Sequence, residues 1–276
     1  MSTRHQLFGA ALLGLFGLAG TAEAQIKSGD DPEASVIWHK VRASLFAERP
    51  IRADAGGLIE LQAPVRAEDA AVVPMAIKTR LVQTPQRYIG AVYLIIDNNP
   101  SPIAAIFRFT PQSGRADIET RVRIDEYTFV RAIAEMNDGQ LYMTAKWVKA
   151  SGGCSAPAGK DQVEALKTLG KMKFRVDGDM SIDKPVLAQL MISHPNNSGL
   201  AMDQSTRQYT PAHFVRKIDV SYRGRPVMSA DLDISISENP NFRFYFVPGG
   251  QGELKADVVD SEGLHFESAL KLQVPG

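Results

Sequence analysis

The chain of 276 residues contains a single cysteine, Cys154, so no disulfide can form within it. It has no excess of either charge: Lys+Arg and Asp+Glu both number 31. With no basic field, nothing global draws it to nucleic acid or to anionic lipid. Metal-binding signatures are missing too. His5 lies at the very start, and His39, His194, His213 and His265 are scattered, with no His-x-His, Cys-Cys pair or His-Glu-x-x-His. Each reads as a structural histidine, and no cofactor is expected. There is no Gly-x-Ser-x-Gly elbow to anchor a hydrolase triad. The glycines of GGQGEL (Gly249 to Leu254) lack the Lys-Ser/Thr ending of a phosphate loop and read as a hairpin turn. After the N-terminus, no apolar run approaches a spanning length without charge, so membrane insertion is not expected.

What is present begins with an export leader. Arg4 and His5 form a short positive region, LFGAALLGLFGLAG an apolar one, and Ala22-Glu23-Ala24 a small-x-small cleavage site before Gln25. Residues 1–24 are therefore expected to be removed, and the mature chain to work in the periplasm. Oxidising compartments usually pair their cysteines. An unpaired one there is an incidental thiol, a link to a partner or a reactive group.

Residues 25–150 open with GDDPEASVIWHKVRASLFAERPI, which the spacing predicts as a helix. Asp30 or Asp31 would cap it, Ile37, Val41 and Leu45 would form its apolar stripe, and Pro50 would end it. The period then changes. MAIKTRLV, YIGAVYLIID, PIAAIFRFT, ADIETRVRID, YTFVRAIAEM and LYMTAKWVKA are β-branched and aromatic runs that recur about every ten residues, as in an antiparallel sandwich. In ETRVRID, Thr120, Val122 and Ile124 would face inward, with Arg121 and Arg123 on the opposite side. Asn137-Asp138-Gly139 is a hairpin turn.

Strand patterning stops at Ser151. Residues 151–170 are expected to form a flexible arm: small residues and Pro157 up to Gly159, then a short helix capped by Asp161 and ended by Gly170. Residues 171–276 resume with KMKFRVDG, PVLAQLMISH, HFVRKIDVSY, MSADLDISISE, FRFYFVP, GELKADVVDS and LHFESALKLQV, a second sandwich. The basic, aromatic NFRFYF within it fits a core strand better than a ligand surface. The expectation is an all-β chain: two immunoglobulin-like sandwiches joined by a cysteine-bearing arm.

Cys154 lies in that arm behind Gly152 and Gly153. Between Asp138 and Asp161 no acidic residue occurs, while Lys146, Lys149 and Lys160 do, a setting that favours a thiolate and anionic cargo. An arm of about ten such residues spans on the order of 15–20 Å, enough to present a sulfur atom to another protein.

At this point the sequence resembles a known family. The stretch from DNNPSPIAAIFRF to KWVKASGGC looks like SoxY, whose chain ends in a Gly-Gly-Cys-Gly-Gly arm. SHPNNSG and SISENP resemble the His-Pro-x-x-x-Gly turn and Ser-x-Asn-Pro corner of SoxZ. In one chain, this looks like the fused SoxYZ-like carriers associated with quinoprotein dehydrogenases. Two departures stand out: the arm reads Gly-Gly-Cys-Ser-Ala and is internal, and Asn196-Asn197-Ser198 replaces a common Met-Glu-Thr. The resemblance implies a non-enzymatic sulfur carrier for thiosulfate oxidation. Its cargo would be attached covalently at Cys154, with Gly152 and Gly153 as the flexible lead. Its partners would be c-type cytochromes and a sulfate-releasing hydrolase, or a quinoprotein dehydrogenase. Two alternatives stay open: a non-covalent adaptor for such a dehydrogenase, and a thiol protein that dimerises through Cys154.

Overall fold

The computed structural model describes residues 31–273, apart from 55, 158, 160, 161, 179, 204 and 205. The leader expected over residues 1–24 and the Asp161 cap lie outside the described residues.

The chain enters through a single 3-10 turn, Pro32–Ala34, capped by Asp31. Helix α1 (Val36–Phe46) follows, with the Ser35 hydroxyl accepting from the Trp38 amide at 3.1 Å. Because the helix starts at Ser35 rather than at the aspartates, its buried face is Trp38, Val41 and Phe46. Ile37, expected in the stripe, stays 38% exposed. Strands β1 (Ile51–Ala53), β2 (Ile59–Gln62), β3 (Val73–Thr79), β4 (Ile89–Ile96), β5 (Ile103–Phe109), β6 (Ile118–Val122), β7 (Thr128–Met136) and β8 (Leu141–Val148) complete the first half. After the arm and a short helix α2 (Gln162–Leu166), the second half contributes β9 (Met172–Asp177), β10 (Val186–Ile192), β11 (Val215–Tyr222), β12 (Arg225–Leu232), β13 (Asn241–Phe246), β14 (Gly252–Asp260) and β15 (His265–Leu272).

Two stacked sheets result, and both run through the two halves. One has the order β1-β8-β7-β4-β5-β12-β11-β14-β15 and the other β2-β3-β6-β13-β10-β9. β5 pairs with β12, from Ala105–Leu232 to Phe109–Met228, and β6 pairs with β13 through Glu119–Arg243 and Ile118–Phe244. The sandwiches are therefore welded edge to edge rather than tethered. Pairing the edge strands removes open ladders that either half alone would expose. One apolar cluster spans both halves and includes Phe107, Ile118, Phe242, Phe244 and Phe246. NFRFYF is a core strand, as its alternation requires. GGQGEL does form a turn, but it links β13 in one sheet to β14 in the other, so it is a crossing between layers and not a hairpin.

Helix α1 covers the outside of the larger sheet, where Trp38, Val41 and Phe46 meet Ile95, Ile133 and Leu141. Under it lies a buried ion pair. Arg131 Nε and Nη2 donate to the two oxygens of Asp97 at 2.8 and 2.7 Å, and the guanidinium carbon sits 4.4 Å from the centre of the Trp38 ring. Among the described residues, no helix is long and apolar enough to cross a membrane.

Candidate functional site

The β7–β8 hairpin delivers the chain to Ser151, and the arm turns inward there. Gly152 donates to the Asp125 carbonyl at 2.7 Å and Gly153 to the Ile124 carbonyl at 2.9 Å. Gly152 takes φ 79°, which L side chains adopt only under strain. A Cβ on Gly153 would fall 2.0 Å from the Ala70 carbonyl oxygen and 2.6 Å from that of Ile124. The glycines that read as a swinging lead thus also let the arm press against the body.

Cys154 is consequently buried, at 0% exposure. This corrects the expectation of a bare sulfur on a loose strap, and the reason is steric: a segment of glycine, cysteine and serine is thin enough to fill a seam. The Cys154 amide donates to Asp125 Oδ1 at 3.3 Å, and its carbonyl accepts from the Ser198 hydroxyl at 2.5 Å. Farther along, the Gly159 amide donates to Glu238 Oε2 at 2.9 Å. Asp125 belongs to the first half, Ser198 and Glu238 to the second. The arm is seated between them largely through its backbone.

The seat is electrostatically unlike the cationic surface expected from sequence. Burial, reinforced by the Asp125 carboxylate and opposed by the Arg123 guanidinium, pushes the Cys154 thiol up to about 12. A docked Cys154 is therefore protonated at neutral pH and a poor nucleophile. Arg123, expected on the open side of its strand, is 6% exposed because β6 ends at Val122; it turns under to donate to the Ile236 carbonyl at 2.5 Å. Asn99 ties the same region together. Its amide nitrogen donates to the Arg123 carbonyl and the Ser235 hydroxyl, both at 2.8 Å, and its oxygen accepts from the Asp125 amide at 2.9 Å.

Sequence reading missed a cluster behind Ser198. His194 and His213 stack edge to face with centroids 4.6 Å apart and converge on Asp260. His213 Nε2 lies 2.8 Å and His194 Nε2 3.6 Å from Asp260 Oδ2, while Oδ1 accepts from the Glu262 and Leu264 amides at 2.9 and 2.8 Å. The ligand atoms of these three residues lie within 4.8 Å of one another, close enough to suggest a metal centre. The donor set argues otherwise. His194 Nδ1 accepts from the Asn196 amide at 3.0 Å, so in the neutral ring Nε2 carries the proton and has no lone pair to offer. Burial, with a smaller contribution from His213, holds His194 down to about 4, which keeps the ring neutral. The cluster instead fixes the loop that carries Ser198: the Asn196 side chain donates to the Ile236 carbonyl and accepts from the Val215 amide, at 3.0 and 2.9 Å. No local pattern in the sequence shows that the histidines of SHP and PAHF meet.

A search of curated proteins finds no match. Among solved structures, the chain is similar to the sulfur carrier protein SoxY from Chlorobium limicola f thiosulfatophilum, at 22% identity, covering 43% of this chain and 94% of that one, with a TM-score of 0.35. It is also similar to a superoxide reductase (neelaredoxin) from Ignicoccus hospitalis, at 16% identity, covering 43% of this chain and 90% of that one, with a TM-score of 0.29. Residues 42–154 match the family described as sulfur oxidation protein SoxY, a match whose last residue is Cys154, and residues 175–271 match sulphur oxidation protein SoxZ. This single polypeptide therefore carries a SoxY domain followed by a SoxZ domain, a fused SoxYZ-like arrangement.

Proposed function

We propose that this protein is a covalent sulfur carrier of the periplasm, with Cys154 as the attachment point and the docked arm as its resting state. The observation that carries the reading is the seat itself. The lone thiol lies where the SoxY-like and SoxZ-like halves meet, on a segment held by a few hydrogen bonds made through its own backbone. Such a segment leaves without disrupting the core. Once free, its thiol titrates near ~8.5 rather than far above neutrality.

Loading joins the Cys154 sulfur to the terminal sulfur of thiosulfate. The thiol proton is released and two electrons pass to an electron acceptor on the loading partner, for which a c-type cytochrome is suited. Water then cleaves the S–S bond to the terminal sulfonate on a hydrolytic partner, which releases sulfate and leaves a persulfide on the arm. Both reactions belong to the partners; this chain supplies the nucleophile and its presentation.

One observation favours a second reading. A thiol sealed at 0% exposure is equally suited to a protein that never uses it, a non-covalent adaptor for a quinoprotein dehydrogenase. Intact mass spectrometry separates the two. Protein taken from periplasm of cells grown on reduced sulfur compounds should carry added mass that reductant removes and that Cys154→Ser abolishes. Unmodified mass throughout, with Cys154→Ser cells growing normally on both sulfur compounds and alcohols, overturns the carrier.

A further inference from the structure

The outer face of the smaller sheet has a groove of about 450 Å³ where the two halves join, lined among others by Arg121, Lys171, Lys173, Met172, Met191 and Asn241. Three cations open into it and no carboxylate does. Arg121, Lys171 and Lys173 are exposed, and among the described residues their side chains have no ion-pair or hydrogen-bond partner. The carboxylate on the adjoining surface, Glu119, is already held by Lys78 and by Arg243 at 3.1 Å. Two amide donors are also unspent. Asn239, at the edge of the groove, uses its oxygen to accept from the His194 amide, and Asn241 uses its oxygen to accept from Gln189, which leaves both amide nitrogens without a partner among the described residues.

Like charges gathered without a counter-charge raise the local potential, and a small divalent anion is what that potential concentrates. An arginine fork and two amide N–H groups match the oxygens of a tetrahedral oxyanion. The remaining wall is of another kind. Met191, on the same outward face as Asn241 and Lys173, is half-buried, and its thioether is soft and polarizable, whereas the Met172 side chain packs toward the core. A ligand with oxygens at one end and a weakly hydrated, polarizable atom at the other satisfies both walls. The groove also borders the returning arm: Ser193 shares a hydrogen bond of 2.7 Å with Thr168 and accepts at its carbonyl from the Gly170 amide at 2.8 Å.

We infer that this groove is a reversible, non-covalent binding site for a small divalent oxyanion with one soft end, for which thiosulfate is the simplest probe. The site does not depend on Cys154 carrying cargo. It is therefore tested in the full-length Cys154→Ser protein, where no adduct can form, by calorimetric titration with sodium thiosulfate and with sodium sulfate. The expected result is saturable one-site binding, thiosulfate at least threefold tighter than sulfate, both weakened by added sodium chloride. Arg121→Gln/Lys173→Gln should weaken thiosulfate binding at least tenfold without changing the melting temperature, while Arg225→Gln, on the larger sheet, should leave it unchanged. Lack of saturation overturns the site. So does an equal loss in the Arg225 variant, which would mean a general charge effect, and so does sulfate binding as tightly as thiosulfate. Binding of a glutamate-rich peptide with no binding of either anion would show an acidic protein surface as the occupant and would also overturn it.

Discussion

The Ser198 hydroxyl, from the SoxZ-like half, donates to the carbonyl of Cys154, from the SoxY-like half, at 2.5 Å. The same oxygen accepts from the Leu200 amide at 3.2 Å, so a single side chain latches the arm and turns the loop that holds it. Ser198→Ala removes one neutral hydrogen bond, worth roughly 1 kcal/mol. Maleimide labelling of Cys154, followed by mass, should accelerate roughly five- to tenfold. Labelling at the wild-type rate would mean that the latch is not what limits release.

Gly153→Ala should act more strongly. Its Cβ would sit 2.0 Å from the Ala70 carbonyl, and neither partner there is a flexible side-chain end. The arm should be expelled and labelling should rise at least 100-fold, by an estimate of roughly 3 kcal/mol for a backbone overlap of this kind. Gly152→Ala meets nothing within 4 Å and suffers only from its positive φ. It should give a smaller rise of about fivefold, as expected for roughly 1 kcal/mol of backbone strain. Equal behaviour of the two variants would contradict the docked geometry.

The His194 cluster gives stability a pH dependence with a definite sign. His194 is held down to about 4 in the fold, whereas an unfolded histidine titrates near ~6.5. Between these values the unfolded chain binds the extra proton, so stability present above about pH 6.5 is lost as pH falls toward 4, up to about 3 kcal/mol from this group. The Asp260 carboxyl, lowered by its bond to His213 and by backbone amides against the opposing effect of burial, adds a loss in the same direction at lower pH. Urea melts across this window should show the slope in the wild type and a shallower one in His194→Gln. A flat profile in the wild type would show that the ring is not held neutral.

Removing one partner of the Asp97–Arg131 pair is the sharper disruption of the core. Asp97→Ala leaves a guanidinium at 0% side-chain exposure without its carboxylate and should cost about 3–5 kcal/mol. Asp97→Val/Arg131→Met removes both charges and should recover most of that loss in denaturant unfolding. If the double variant proves no better than the single one, the charge itself was not the source of the cost.

Much of this molecule is legible in one dimension because strand patterning is local. The runs from MAIKTRLV to LHFESALKLQV are strands because alternation and β-branching act within a few residues. The Asn137–Gly139 turn is equally local, with Gly139 at φ 84°. The helix boundary is less accessible: Asp31 and Ser35 are both good caps, and only packing of Trp38 over Arg131 selects the second for α1. Arg123 and Arg131 both occupy positions in apparent strands, and their burial depends on carbonyls and a carboxylate far away in the chain.

The sequence alone determined a two-part β protein with one thiol in a thin connecting segment, because composition and period are properties of neighbours along the chain. Only the tertiary structure decided that the two parts share both sheets, that His194 and His213 meet on Asp260, and that Cys154 rests inside the seam. Each of those outcomes is a contact between residues distant in sequence. Which surface a thin segment lies against depends on the shape of the whole body, and no local pattern encodes that shape.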